Sequence, residues 1–425
     1  MNSTKVMIRY GMQNKSVRKL CLCRAINPAI FWANITGITA ISCERHHEGV
    51  CKFSVSKRWL FYTRLLQIIY GLYMVVLYGL RLICPNDHND EAWYVMTFGY
   101  FVGDVESIFT VVYGSLQSKN ICNILQKLST SLDNKNIKKL QKNLRKLVLF
   151  ILIYYITILI SHIYVTFVRN VFSSDATLFS CSSIDTTLAI LIRGVSKASP
   201  SGQLIITFVI AYVIGLKFKA LGALTETTLR TLRLVQSHVY VLTNTTENKI
   251  ISLHDLSTKH KELFHVIQDF NKSFGPQLLM ALTASLYNTI YNLYRYSTSN
   301  WEYKHDTLPQ KLHYLLGLGY RLLRMLLYMF IGKYVQTTSL RPLQVLRDSS
   351  IMKLSLSHQQ EVQSLILLWW GKCGYLSASG VVNIGPWLLA PIIGNVVTYL
   401  LVALQFDQSQ NKHRNITKVL TSFLE

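Results

Sequence analysis

Charge is what this sequence has least of. Asp, Glu, Lys and Arg together make up 15% of its 425 residues, against about a quarter in ordinary soluble chains. A water-facing surface cannot be covered with so little charge, and several apolar runs of about 20 residues would have to be buried as well. A soluble basic protein is excluded on that ground. Acidic residues are the scarcer kind: 21 Asp and Glu stand against 44 Lys and Arg, a formal net charge of +23. The carboxylate, histidine and cysteine groupings of an enzyme or metal site are missing too. His254, His260 and His265 are spaced so that no two fall cleanly on one helical face, and His46-His47 stands alone. No Gly-rich phosphate loop and no Gly-x-Ser-x-Gly elbow occurs. No enzyme, metal or cofactor is expected. The opening residues are polar and basic, and no apolar stretch with a small-residue cleavage site follows them.

What the chain has instead is apolar length. It is 50% hydrophobic and 12% aromatic. Seven stretches read as membrane spans: 61–84, 93–116, 146–168, 203–224, 274–296, 313–335 and 378–406. The segment from Cys21 to Ser42 is apolar but broken by Arg24, Pro28 and Gly37, and reads as a cytoplasmic re-entrant or interfacial element. Basic residues lie between the spans, which points to an anionic membrane leaflet and away from nucleic acid.

Their placement orients the chain. The region before the first span holds Lys5, Arg9, Lys15, Arg18, Lys19, Arg24, Arg45, Lys52, Lys57 and Arg58, and the second, fourth and sixth connections are similarly basic. The first, third and fifth connections carry far less. The N-terminus is therefore expected in the cytoplasm and the C-terminal tail outside, the reverse of a G-protein-coupled receptor. With that orientation Cys21, Cys23, Cys43, Cys51, Cys122 and Cys373 fall on the reducing side. Cys84 and Cys181 lie in or beside outer loops, either bridged to each other or free. A secondary transporter would show an internal repeat between two halves, and none is visible.

The last span closes with Val397-Thr398-Tyr399-Leu400-Leu401-Val402-Ala403-Leu404-Gln405-Phe406. Thr398 and Tyr399, five apolar residues, then Gln405 and Phe406 match at every specified position the pattern that closes the last helix of insect gustatory receptors. Gly380-Val381-Val382-Asn383-Ile384 is similar to the stretch preceding that helix. The chain therefore resembles a gustatory receptor of the insect chemoreceptor superfamily, with sequence-specific likeness confined to its last helix and the stretch before it. The resemblance implies an all-α membrane protein of seven transmembrane helices with cytoplasmic N-terminus, extracellular C-terminus and extended cytoplasmic anchor helices. Its parts would be a cytoplasmic region 1–60, helices one to six with a ligand-binding bundle over 61–340, and an anchor helix within 341–377. A pore-lining helix 378–406 and a short outer tail 407–425 complete it.

The function so implied is taste reception by a ligand-gated, non-selective cation channel of four like or related subunits. It would sit in the plasma membrane of sensory neuron dendrites and bind a small-molecule tastant. An odorant-receptor-type subunit is the alternative. Asn395, Thr398, Val402, Gln405 and Phe406 share one face of the last helix. The pattern alone fits hydrogen bonding to a neighbouring helix equally well. The resemblance makes the face a pore lining, with Val or Phe rings as an apolar constriction and Gln carbonyls facing the cation. The anchor helix is expected near 354–370. In the superfamily the ligand sits in the outer half of each subunit's bundle. Tyr100, Asp104, His162, Tyr212, Tyr287, Tyr291, Tyr320 and Arg321 are the candidates here. Intramembrane charge is costly unless paired, so Asp104 is expected to meet Arg321. Glu106 lies two residues deeper on another face, and Arg324 shares the face of Arg321.

Overall fold

The computed structural model describes residues 22–45, 51–83, 91–129, 134–172, 181–236, 252–298, 308–349, 352, 354–372 and 374–405. A short helix α1 (Leu22–Ile35) and a hairpin of β1 (Ile41–Arg45) and β2 (Cys51–Val55) precede six long helices. These are α2 (Lys57–Ile83), α3 (Glu91–Ser129), α4 (Asn134–Phe172), α5 (Cys181–Gln236), α6 (Leu253–Thr298) and α7 (Leu308–Asp348). Then come α8 (Leu356–Trp370), a small hairpin of β3 (Ser377–Ala378) and β4 (Val382–Asn383), a 3-10 turn Pro386–Leu388, and a last helix α9 over 389–405. The first six expected spans each fall on one long helix, α2 to α7, and the seventh overlaps α9 in its second half.

Four helices among the described residues are long and apolar enough to cross a bilayer by composition: Lys57–Val76, Ala198–Arg233, Leu315–Asp348 and Pro386–Gln405. Length says more than hydropathy here. The 56 residues of α5 span roughly 84 Å, against a hydrocarbon layer of about 30 Å. The 46 residues of α6 and 41 of α7 also exceed it, so these helices continue well beyond any membrane.

Two hydrophobic cores follow from that length. The larger unites α1, the first hairpin and α3 to α7 around Ile26, Ile121, Ile206, Phe270, Phe274 and Tyr328. Burying each such side chain contributes about 1.5–3 kcal/mol. The smaller gathers Leu221 and Leu229 of α5, Leu256 of α6, Leu343 and Leu346 of α7, and Val362, Leu365 and Trp369 of α8. His260 of α6 is sealed into the same region, stacked on Trp369 at 4.3 Å with Phe218 edge-on at 6.0 Å. Burial, with a smaller contribution from Lys372, pushes its pKa down to about 4.

Helix ends follow local chemistry. At the start of α6, Ser252 Oγ accepts from the Asp255 amide at 3.0 Å and the Asp255 carboxylate accepts from the Ser252 amide at 3.3 Å, a reciprocal cap. Ser355 caps α8 by accepting from the His358 amide, so the helix expected from 354 begins at 356. The last helix starts later than the expected 378. Gly380 takes φ 74° in the β3–β4 turn, and Pro386 stands where a helical amide would be needed, so regular helix begins only at 389. The first hairpin departs from an all-helical reading. Cys51 and Phe53 are buried with Lys52 exposed between them, the period of a strand and not of a helix.

Candidate functional site

A buried polar cluster joins α3, α6 and α7. The Glu106 carboxylate accepts from Arg324 Nη1 at 2.5 Å and from Arg321 Nη1 at 3.3 Å. Arg324 also donates from Nε to Ser285 Oγ at 3.0 Å and from Nη2 to the Ala281 carbonyl at 2.9 Å and to Ser285. Glu106 and Arg324 side chains are fully enclosed, while Arg321 keeps 16% exposure. Three more hydroxyls in these helices, of Thr289, Tyr320 and Tyr328, are buried with no hydrogen-bond partner. Such atoms cost free energy unless water or a ligand meets them. Tyr154 of α4 closes one side, stacking on Tyr320 at 6.0 Å and donating to the Leu316 carbonyl at 2.9 Å.

The cluster extends along α3. One turn on, Thr110 donates to Gln203 of α5 at 3.4 Å, and its carbonyl accepts from Gln277 of α6 at 3.1 Å. Four helices are thus pinned at one level by groups that must find partners away from water.

The carboxylate that Arg321 meets is Glu106, not the expected Asp104. The two acids are two residues apart, about 200° around a helix, so only one can face α7. Asp104 is half-buried on the same helix. Tyr320 and Arg321 lie in the cluster. Tyr287 and Tyr291 flank Ser285 and Thr289 on α6, Tyr291 being buried. Tyr212 is not brought there. It stacks on Tyr334 at 5.1 Å, roughly 15 Å along α7 from Arg324. The side chains of Tyr100, His162 and Cys181, and residues Cys84 and Phe406, lie outside what is described, and with them the expected Cys84–Cys181 bridge. Glu106, Arg324 and Ser285 were missing from the expected set, although the rule that found Asp104 and Arg321, charge within an apolar span, covers Glu106 and Arg324 as well.

The second feature is α9. Its window Pro386–Gln405 has mean hydropathy 2.0 yet is only 6% buried. Ile393, Val397, Tyr399, Leu401 and Val402 are all exposed, and so are Asn395, Thr398 and Gln405 on the expected pore face. Thr398 Oγ1 donates to the Gly394 carbonyl of its own helix at 2.9 Å. An apolar helix this bare needs lipid or other protein copies against it.

The segment leading into α9 is fastened to the helices that hold the polar cluster. Asn271 of α6 donates to the Tyr375 carbonyl at 2.9 Å and accepts from the Ser377 amide at 3.0 Å. A Cβ on Gly275 would lie 2.7 Å from the Ser379 nitrogen, and one on Gly332 of α7 would overlap the Ile384 carbonyl. At both places the backbones approach too closely for any side chain.

Residues 28–410 match the family model described as 7tm Chemosensory receptor. Among solved structures the chain is similar to the insect olfactory receptor OR5 from Machilis hrabei. With eugenol bound, that structure gives a TM-score of 0.72 at 14% identity, covering 91% of this chain and 98% of the other. A second structure of the same receptor gives 0.71 with the same identity and coverage. No curated protein matches in sequence.

Proposed function

Because the chain belongs to the 7tm chemosensory receptor family, we propose that this membrane protein is a ligand-gated cation channel of the gustatory type. Four like or related subunits place α9 around a central pore. The observation that carries this reading is α9 itself, apolar, almost unburied by its own chain, and tethered through its lead-in to α6 and α7. Asn395, Thr398, Val402, Gln405 and Phe406 line the pore, Val402 or Phe406 forming an apolar constriction and Gln405 a ring of carbonyl oxygens. The N-terminal region, α8 and the long ends of α5, α6 and α7 lie in the cytoplasm, and the tail after 406 lies outside, in the plasma membrane of sensory neurons.

The ligand is a small molecule held within each subunit's bundle beside Tyr320, Arg321 and the Glu106 carboxylate. Fold similarity to an olfactory receptor that binds eugenol keeps an odorant-type subunit as the second reading. Thr398-Tyr399 and Gln405-Phe406 favour the gustatory one. The proposal is tested by whole-cell current from cells expressing the chain, with sugars, bitter compounds and amino acids applied to wild type and to Gln405→Ala and Phe406→Ala. Evoked cation current without G-protein signalling, with rectification or basal leak altered by the substitutions, is expected. A response that requires G-protein coupling overturns it.

A further inference from the structure

Three cysteines meet ahead of the first long helix. Cys23 lies in the first turn of α1, Cys43 in the middle of β1 and Cys51 at the start of β2. The strand register sets Cys43 against Phe53 and Arg45 against Cys51. Side chains alternate along a strand, so Cys43 and Cys51 leave the same face as diagonal neighbours. Cys23 reaches this face from α1. It is disulfide-bonded to Cys43 with the Cα atoms 6.0 Å apart, and its amide donates to Cys51 Sγ at 3.5 Å. Cys51 is itself disulfide-bonded and buried, whereas Cys23 and Cys43 are only half-buried. Of these cysteines, the pair 23–43 is the one a small thiol reaches first.

The bridged unit is wedged between helices of the bundle. Beyond the bridge, Trp32 Nε1 donates to Ser201 Oγ of α5 at 3.2 Å, and the Thr36 carbonyl accepts from Ser199 Oγ at 3.2 Å. On the other side the Ala40 amide donates to Ser118 Oγ of α3 at 3.2 Å and the Phe53 amide to Gln126 Oε1 at 3.1 Å. The disulfide therefore ties the part resting on α5 to the part resting on α3. A permanent structural disulfide belongs to an oxidising compartment, and the charge distribution sets this end of the chain in the reducing one.

We infer that the Cys23–Cys43 bridge is a reversible redox modification site, closed under oxidant and opened by cytoplasmic thiols, that stiffens the wedge between α3 and α5. The inference rests on the inward orientation given under Proposed function. Opening begins when a thiolate of the glutathione class attacks one sulfur of the bridge, forming a mixed disulfide and releasing the other cysteine as a thiolate. A second reductant thiol attacks the mixed disulfide, freeing the remaining cysteine and leaving as the low-molecular-weight disulfide. Two electrons and two protons pass from the reductant to the protein. Closure by hydrogen peroxide runs the other way. One cysteine thiolate takes an oxygen to become the sulfenic acid, with loss of hydroxide. The second thiolate then displaces hydroxide from that sulfur to form the bridge.

The test uses the full chain in intact cells, with thiols trapped by acid quench and maleimide before and after hydrogen peroxide, and again after dithiothreitol. Each cysteine's state is read by peptide mass. Oxidant is expected to move Cys23 and Cys43 together from the blocked to the bridged fraction by at least fivefold, and reductant to return them. In Cys23→Ser, Cys43 stays blockable throughout. Hydrogen exchange on purified protein is expected to slow at least tenfold over 22–45 in the bridged form. Wild type compared across redox states supplies both readouts even if the variants fold poorly. A bridge unaffected by dithiothreitol, exchange equal in the two forms, or reduced thiols holding stoichiometric zinc each overturn the inference. An epitope tag at the N-terminus reached by antibody on unpermeabilised cells overturns the orientation instead, which separates the two failures.

Discussion

Gly332 carries the most exacting prediction. A methyl group placed there would overlap the Ile384 carbonyl oxygen, lie 2.8 Å from the carbonyl carbon and 3.1 Å from Cγ2 of the same residue. Ile384 cannot swing aside, because it is buried and its amide donates to the Leu376 carbonyl at 2.8 Å. Gly275 meets the same segment at Ser379, where a Cβ would lie 2.7 Å from the nitrogen. Gly332→Ala must therefore push α7 and the lead-in of α9 apart. Overpacking of this kind costs about 1–3 kcal/mol, and alanine in a helix returns up to about 1 kcal/mol. With the full helix gain returned, the net is about 0–2 kcal/mol, a factor of up to roughly 30 in an equilibrium. The loss falls on the joint between the helices proposed to hold the ligand and α9. Surface expression is expected to stay near normal while ligand-evoked current over basal current drops by that factor. Gly103→Ala, with nothing within 4 Å of the new methyl, is the control and should leave the ratio alone. Wild-type surface level and wild-type evoked current in Gly332→Ala would refute the coupling path.

Glu106→Gln leaves the guanidiniums of Arg321 and Arg324 without their carboxylate; removing one member of a buried ion pair costs about 3–5 kcal/mol, so detergent-extracted variant should aggregate or lose several degrees of Tm in fluorescence-detected chromatography. Adding Arg324→Met to Glu106→Leu should recover part of what Glu106→Leu alone loses, and a strictly additive pair would sink the assignment of Glu106 as the partner. His260 has its folded pKa depressed to about 4 from an unfolded value near 6.5. The unfolded chain then takes up the proton first, so stability present above about pH 6.5 is lost as pH falls toward 4, by up to about 3 kcal/mol. Tm measured at pH 7.5 and 4.5 should drop less in His260→Phe than in wild type. Leu367→Glu and Trp370→Glu place charge on the exposed apolar face of α8, where these side chains are 77% and 57% exposed. If α8 meets a neighbouring subunit through this face, crosslinking of intact membranes should shift toward lower oligomers, and unchanged oligomers would refute such a contact.

How much of this the sequence disclosed depends on the range of the interaction that fixes each feature. The long helices were legible because apolar length is written locally, whereas α8 was expected through the family resemblance and its Ser355 cap was seen only in the structure. The late start of α9 was hidden by an apolar stretch that hydropathy averages into one span, although Gly380 and Pro386 break it. The polar cluster shows the harder limit. Asp104 and Glu106 of α3 and Arg321 and Arg324 of α7 are plain in the sequence, but which acid meets which base depends on how α3 is rotated against α7. That rotation is set by packing of residues such as Thr110 against Gln203 and Gln277, and no single element contains it. Tyr212 was misplaced for a related reason. Its segment is apolar enough for a span, yet it packs on Tyr334, well along α7 from Arg324.

The placement of the two features on shared helices has a mechanical consequence. Arg324 ties α7 both to Glu106 of α3 and to Ser285 of α6, while Gly275 and Gly332 of α6 and α7 pack against the segment entering α9. The separations along the helices are roughly 15 Å on α6 and 12 Å on α7. Over such a distance a hydrogen-bonded helix behaves as a rigid rod, so a shift of α7 against α3 at Arg324 reappears at Gly332 with little loss. Close-packed glycine contacts have no side chain to absorb it. A group that competes for the Arg321 guanidinium, which is the part of the cluster still open, would change the balance of forces on Glu106 and so the angle between α3 and α7. Only differential affinity for the two arrangements can move such an equilibrium. On the proposed reading that difference would arise at Arg321, which keeps 16% exposure and can be met without displacing the enclosed Arg324.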